Sequence, residues 1–105
     1  MAQFDVYRNA SPATRARIPY LLDVQSDLLD PLATRIVVPL CKPEVISGKP
    51  AERLNPAFEI EGRKVLMLTP ELAGVPRKTL GERVASLAPE RRAIIGALDL
   101  VFTGI

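Results

Sequence analysis

Cleaving a phosphodiester needs a general base, a general acid and a cation to hold the developing negative charge. The chain has no histidine, so such chemistry would have to come from an arginine, aspartate and glutamate set. Arg35 and Arg63 are candidates for the cation, but no spacing of carboxylates singles out a site around either. Gly62 and Gly74 read as turn residues, with no phosphate-cradling loop around them. The single cysteine, Cys41, cannot form an internal disulfide, which suits a reducing cytoplasm.

Residues suited to recognition stand out more clearly than residues suited to catalysis. The chain finishes on Phe102-Thr103-Gly104-Ile105. An apolar helix runs into that tail, and glycine allows a backbone turn that a helix cannot make. The tail is either pinned inside the fold or offered to a partner. Fully burying Phe102 or Ile105 in an interface would contribute about 1.5–3 kcal/mol each. Leu28 and Leu29 lie between Asp27 and Asp30; on an extended segment one leucine faces inward and one outward, and the aspartates read as turn formers. Asp99 interrupts the apolar helix near its C-terminal end, where the dipole disfavours an anion. It is either the partner of an arginine elsewhere or a solvated carboxylate. Arg8, Arg15, Arg17, Lys42, Lys49 and Arg53 border two loops; they are either a docking surface for an acidic segment or plain solvated surface.

The elements that must position these residues follow from periodicity and breakers. With 105 residues, 48% apolar and 25% charged, the chain is expected to form one domain over 1–105 around one modest core. Ten prolines argue for short strands and turns. A net charge of +2, with acidic residues among the basic ones, argues against a dedicated nucleic-acid binder. No apolar run is long enough to span a membrane, and no signal pattern opens the chain. Strands are expected over Gln3 to Arg8, Tyr20 to Gln25 and Thr34 to Leu40, the last central and limited by Pro39. Asn9 to Pro19 reads as a mobile loop. Lys42 to Pro56 reads as an irregular excursion with a short strand at Val45-Ile46. Ala57 to Ile60 and Lys64 to Leu68 flank Glu61-Gly62-Arg63 as a hairpin. Thr69 is placed as the N-cap of a single turn with Pro70 at its first position, and Arg77 to Leu80 as the last strand. A helix of about 15 residues starts between Ser86 and Glu90. Ile94, Leu98 and Val101 form one stripe on it, and Ile95 and Phe102 a second. Together they exceed what one sheet needs to cover, so a second subunit is the expected second partner.

Four stretches in order resemble the CcdB family of toxins from type II toxin–antitoxin systems. They are Gln3 to Tyr7; Asp23-Val24-Gln25-Ser26-Asp27-Leu28-Leu29-Asp30 followed by Arg35-Ile36-Val37-Val38-Pro39-Leu40; Met67 to Pro76; and Thr103-Gly104-Ile105. The resemblance implies a mainly β fold, an SH3-like, partly open antiparallel barrel with a C-terminal α-helix, acting in the cytoplasm as a homodimer. It implies a non-enzymatic toxin that binds the DNA gyrase A subunit and traps the cleaved-DNA complex, with no cofactor or metal. A CcdA-like antitoxin would neutralise it and join it in repressing their operon, operator DNA being met only through that complex. Carried onto this chain, the gyrase-contacting positions fall on Leu28, Leu29, Asp99, Phe102, Thr103, Gly104 and Ile105. The dimer positions fall on Leu98, Val101 and Ile105, and the antitoxin surface on Arg8, Arg15, Arg17, Lys42, Lys49 and Arg53. The best-known member has tryptophan where this chain has Thr103 and asparagine where it has Asp99. Losing that aromatic face removes a stacking contribution of about 0.5–2 kcal/mol. The alternative on the same barrel is an endoribonuclease toxin of the MazF and Kid kind.

Overall fold

The computed structural model describes residues 1–104. Seven strands form one antiparallel sheet: β1 (Asp5–Asn9), β2 (Tyr20–Asp23), β3 (Thr34–Cys41), β4 (Ala57–Ile60), β5 (Arg63–Met67), β6 (Ala73–Pro76) and β7 (Leu80–Ser86). A single α-helix, α1, covers Arg91–Thr103. The strand order is β4-β5-β3-β2-β1-β7, with β6 also paired to β3. The sheet curls into a half-barrel, as the resemblance implied.

β3 is the central strand. One of its edges pairs with β2 along Tyr20↔Leu40 to Asp23↔Val37. Its other edge is shared: Thr34 to Val37 pair with β6, and Leu40 and Cys41 with β5. Pro39 limits the strand little: β3 runs to Cys41, one residue past the expected end. The Pro39 carbonyl accepts from the Leu68 N–H at 2.9 Å, so its missing donor faces the edge where β6 gives way to β5. In an antiparallel strand a residue's N–H and C=O point to the same neighbour, and a proline is tolerated where the ladder is already changing hands.

The core lies between the concave face of the sheet and α1. Val6, Tyr20, Leu22, Val38, Leu40, Val65 and Met67 come from strands, and Ile94 and Ala97 from the helix, with Phe4 and Leu87 closing one end. Val37 is buried as well, on the other face, which explains the uninterrupted Ile36-Val37-Val38 run. A smaller cluster of Cys41, Leu66 and Leu68 packs with Ile18, Val45 and Ile46. Burial pushes the Cys41 thiol up from its ordinary pKa.

Several local expectations are corrected. Val45-Ile46 is not a strand: Pro43–Val45 is a 3-10 turn, set by Pro43 at its start. Thr69 does not cap its turn; Leu68 occupies that position, and the Thr69 hydroxyl donates to the Leu54 carbonyl at 2.5 Å. Gly74 lies in β6, paired with Ile36. Arg77–Thr79 is a 3-10 turn, and the last strand is the longer β7 beyond it. The helix has 13 residues, preceded by a 3-10 turn at Ala88–Glu90 that contains Pro89. The hairpin is tighter than expected. Glu61 and Gly62 both have positive φ, 53° and 76°, as a two-residue type I′ connection requires.

Candidate functional site

The stretch from Asp23 to Asp30 is a clamp made of side chains bonding backbone. Asp23 Oδ1 accepts from the Gln25 N–H at 3.0 Å. Gln25 spans the turn: its Oε1 accepts from the Ile36 N–H at 3.0 Å, and its Nε2 donates to the Leu29 carbonyl at 2.9 Å. Ser26 Oγ caps the 3-10 turn Asp27–Leu29 by accepting from the Leu28 N–H. Asp27 Oδ1 accepts from the Gln3 N–H at 2.8 Å. Asp30 takes Arg35 Nη1 at 3.0 Å, and its carbonyl accepts from Arg77. Contrary to the reading as turn formers, Asp27 and Asp30 do not bond the backbone of their own turn; their carboxylates reach Gln3 and Arg35 instead.

This clamp presents two leucines with no core to enter. Leu28 is 91% exposed and Leu29 44%. The expectation that one of the pair is core is therefore wrong. Successive residues of a 3-10 turn project about 120° apart, so both can point outward, whereas an extended segment would have sent one inward.

Arg35 is removed from any catalytic set. It is fully buried, and both Nε and Nη2 donate to Asp23 Oδ2, at 2.9 and 2.6 Å. Asp23 is equally buried. Burial raises the Asp23 pKa, although the Arg35 guanidinium and the Gln25 N–H pull it down. The pair is a strut of the sheet and faces no solvent.

At the other expected surface, Phe102 is 66% exposed, and Asp99, Thr103 and Gly104 are exposed too. Gly104 is in the left-handed conformation at φ 76°, with its N–H returned to the Leu100 carbonyl at 3.0 Å. Thr103 Oγ1 donates to the Asp99 carbonyl at 2.7 Å. Leu98 and Val101, the expected dimer residues, are half-buried against the protomer's own fold. Ile105 lies outside the described residues. The leucine turn and the helix end are not brought together within the protomer. Asp27 ties the turn to Gln3, whose side chain lies 3.5 Å from Arg91 at the first residue of α1. The helix end is about 18 Å further along the axis.

The expected basic surface is also divided. The Lys42 N–H donates to the Arg17 carbonyl at 3.0 Å, which brings Lys42 beside the Arg15–Arg17 loop. Lys49 lines a separate shallow pocket with Glu52, Asn55 and Lys64. Arg53 is exposed on its own turn. Arg8 belongs to a different group altogether.

That group went unrecognised in the sequence. At the open mouth of the half-barrel, Glu61 on the β4–β5 turn accepts two hydrogen bonds: from the Tyr20 hydroxyl at 2.6 Å to Oε1, and from Arg8 Nη2 at 2.7 Å to Oε2. Glu82 approaches the other side of Arg8 at 3.6 Å. The Arg63 guanidinium lies 5.9 Å from the centre of the Tyr20 ring. The Tyr20 hydroxyl, and then the Arg8 guanidinium, hold the Glu61 carboxyl below the usual glutamate range. Burial, then the bond to Glu61, raises Tyr20 above the usual phenol value. Arg63 and Arg8 were each candidates in the sequence, but the signal that could have joined them was a glutamate at a turn position that favours asparagine or glycine.

Comparison with known structures bears on the fold. A mycobacterial endoribonuclease in complex with its cognate antitoxin superposes with a TM-score of 0.76 at 15% identity, over 96% of this chain and 93% of that one. A second mycobacterial endoribonuclease gives 0.70 at 16% identity, over 96% and 89%. At such identities the fold is what is shared. The expectation of a non-enzymatic protein is corrected to this extent: the fold is shared with endoribonucleases, so it does not argue against catalysis. No helix among the described residues is long and apolar enough to cross a membrane. A family model described as CcdB protein matches residues 3–104. With a match of that extent, on a half-barrel closed by a C-terminal helix, the chain belongs to the CcdB family, as a CcdB-type toxin of a toxin–antitoxin system.

Proposed function

We propose that this toxin acts in the cytoplasm on the DNA gyrase A subunit, trapping the enzyme with its DNA cleaved. The docking surface consists of Leu28 and Leu29 on their clamped turn and Asp99, Phe102, Thr103, Gly104 and Ile105 at the helix end. A homodimer formed through Leu98, Val101 and Ile105 supplies two copies of each, so a turn of one subunit and a helix end of the other can serve one target. The observation that carries this reading is the turn itself. The five polar residues of the Asp23–Asp30 stretch hold two leucines out in water, and a fold gains nothing from that unless a partner covers them. A CcdA-like antitoxin neutralises the toxin by laying a flexible acidic segment over Arg15, Arg17 and Lys42, the expected basic residues that the fold gathers, and the complex represses the shared operon. The test is capture of the gyrase breakage domain by purified toxin, with accumulation of cleaved DNA. Leu28→Ala and Phe102→Ala should each weaken capture. Equal capture by both variants refutes the surface.

A second reading is that the toxin cleaves RNA. Two observations favour it: the likeness in fold to endoribonucleases, one of them bound to an antitoxin, and the glutamate, tyrosine and arginine group at the barrel mouth. Incubating the pure protein with RNA separates the two readings.

A further inference from the structure

Resting on the gyrase reading, we infer that Leu32 is a third contact residue of the docking surface and that Arg77 is the positioning residue that holds it there. The Asp23–Asp30 clamp fixes Leu28 and Leu29, but the chain just beyond it has no such support. Residues 30–33 are a turn followed by two bends, and pairing with β6 begins only at Thr34, opposite Pro76. Pro31 has no N–H to give. The Leu32 N–H donates to the Leu29 carbonyl at 3.0 Å. That bond closes a turn with Leu29 and Leu32 at its two ends, which keeps their Cα atoms within about 7 Å of each other.

Arg77 holds this stretch from outside. It enters from the 3-10 turn Arg77–Thr79, directly after β6. Its guanidinium makes four hydrogen bonds. Nε and Nη2 both donate to the Leu32 carbonyl, at 3.2 and 3.1 Å. Nη2 also donates to the Asp30 carbonyl, and Nη1 donates to Met1 Sδ at 2.8 Å. Asp30 Oδ1 lies 3.7 Å from Nη2 while it accepts from the buried Arg35, so the segment is tied to the interior of the sheet as well. A planar fork can span two carbonyls in one fixed geometry, whereas a lysine ammonium is a single point on a flexible stem.

Fixing this stretch brings the fold little burial. Leu32 is 50% exposed and belongs to neither core cluster, and Pro31 and Ala33 are exposed beside it. Arg77 keeps 38% of its own side chain in water. It therefore gives up rotamer freedom at the surface to order an apolar side chain that no core receives. Such ordering is recovered when a partner arrives, because a segment already held in place loses little freedom on binding. Leu32 adds a third exposed apolar side chain to Leu28 and Leu29 within one short stretch, and contiguous apolar surface of that kind marks an interaction site.

The experiment measures the affinity of the purified full chain for the gyrase breakage domain, with Leu32→Ala, Arg77→Ala and the double variant as a mutant cycle. Leu32→Ala should weaken binding roughly fivefold or more, as loss of a leucine buried on binding does. Arg77→Ala should weaken it about as much, and the double variant little more than Leu32→Ala alone, because Arg77 acts through Leu32. Arg77→Lys keeps the charge and should still bind as poorly as Arg77→Ala; full affinity in it would reduce Arg77 to a charge and overturn the positioning role. In the free protein, amide order parameters at Leu32 and Ala33 should fall in Arg77→Ala while those of the strands stay; unchanged values would overturn that role too. Should Arg77→Ala lose its native circular dichroism, Arg77→Lys takes its place in the cycle. Wild-type affinity in folded Leu32→Ala, or penalties that simply add in the double variant, would overturn the inference, while weakened binding by Leu28→Ala keeps the gyrase reading in force. A wild-type chain that does not bind the domain overturns the reading and both roles with it.

Discussion

Asp23 and Glu61 are both carboxylates that accept hydrogen bonds from an arginine, yet they sit in opposite surroundings. Asp23 and Arg35 are sealed inside the sheet with no exposed side-chain surface. Glu61 and Arg8 stand at the barrel mouth, with 37% and 48% of their side chains exposed. Desolvation dominates the first pair and raises its carboxyl pKa, whereas bonds from Tyr20 and Arg8 dominate the second and lower it. Similar residue types thus form a buried strut in one place and a solvent-facing pair in the other. The buried pair cannot be given up without stranding a charge, whereas the exposed one can exchange its partner for water.

The largest expected effect breaks the buried pair. Asp23→Ala leaves the Arg35 guanidinium without its main partner in the interior, and should destabilise the fold by roughly 3–5 kcal/mol in urea unfolding. A loss under about 1 kcal/mol would mean that Asp30 and water compensate and that the two regions are not so different. Ile94→Ala, in the helix–sheet core, should cost on the order of 2–5 kcal/mol by the same measurement, a reference for how much any strut of this fold is worth.

A smaller effect sharpens the contrast through pH. A carboxyl held below its ordinary pKa binds fewer protons in the native state than in the unfolded chain. The stabilisation from Glu61 is therefore complete above the usual glutamate range and is lost as pH falls through it toward the folded value. The gap in urea midpoint between wild type and Glu61→Gln should be present at pH 7 and close as pH falls through and below the usual glutamate range. A gap that widens on acidification would contradict the direction assigned to Glu61. The smallest effect on the fold belongs to the exposed leucine turn. Leu28→Ala should change stability by no more than about 0.5 kcal/mol, yet relieve growth arrest in cells expressing the toxin without antitoxin. Arrest at full strength would leave the turn without a role in target binding.

Much of the scaffold was legible because local rules wrote it. Gly62 between two alternating runs marked the β4–β5 hairpin, the β-branched run at 36–38 marked the central strand, and Gly104 ended α1 as a left-handed cap. β7 escaped notice because Leu80 to Ser86 is an edge strand paired only with β1. It has a glycine and two charges where an alternating apolar face would show. The exposure of Leu28 and Phe102 was foreseeable as a possibility, but the side chain to backbone bonds that force Leu29 outward too were not.

By itself the sequence determined what nearest neighbours can dictate: strand and helix periods, turns at glycine and proline, and the Asp23 to Asp30 run that bonds its own backbone. Only the tertiary structure decided which arginine is buried and which is available. Arg8 and Tyr20 lie 53 and 41 residues from Glu61 along the chain, and their meeting depends on how far the sheet curls before the hairpin tip reaches back to β1 and β2. Sheet curvature is set by the packing of the whole core under α1, a sum over many contacts that no short stretch of residues encodes.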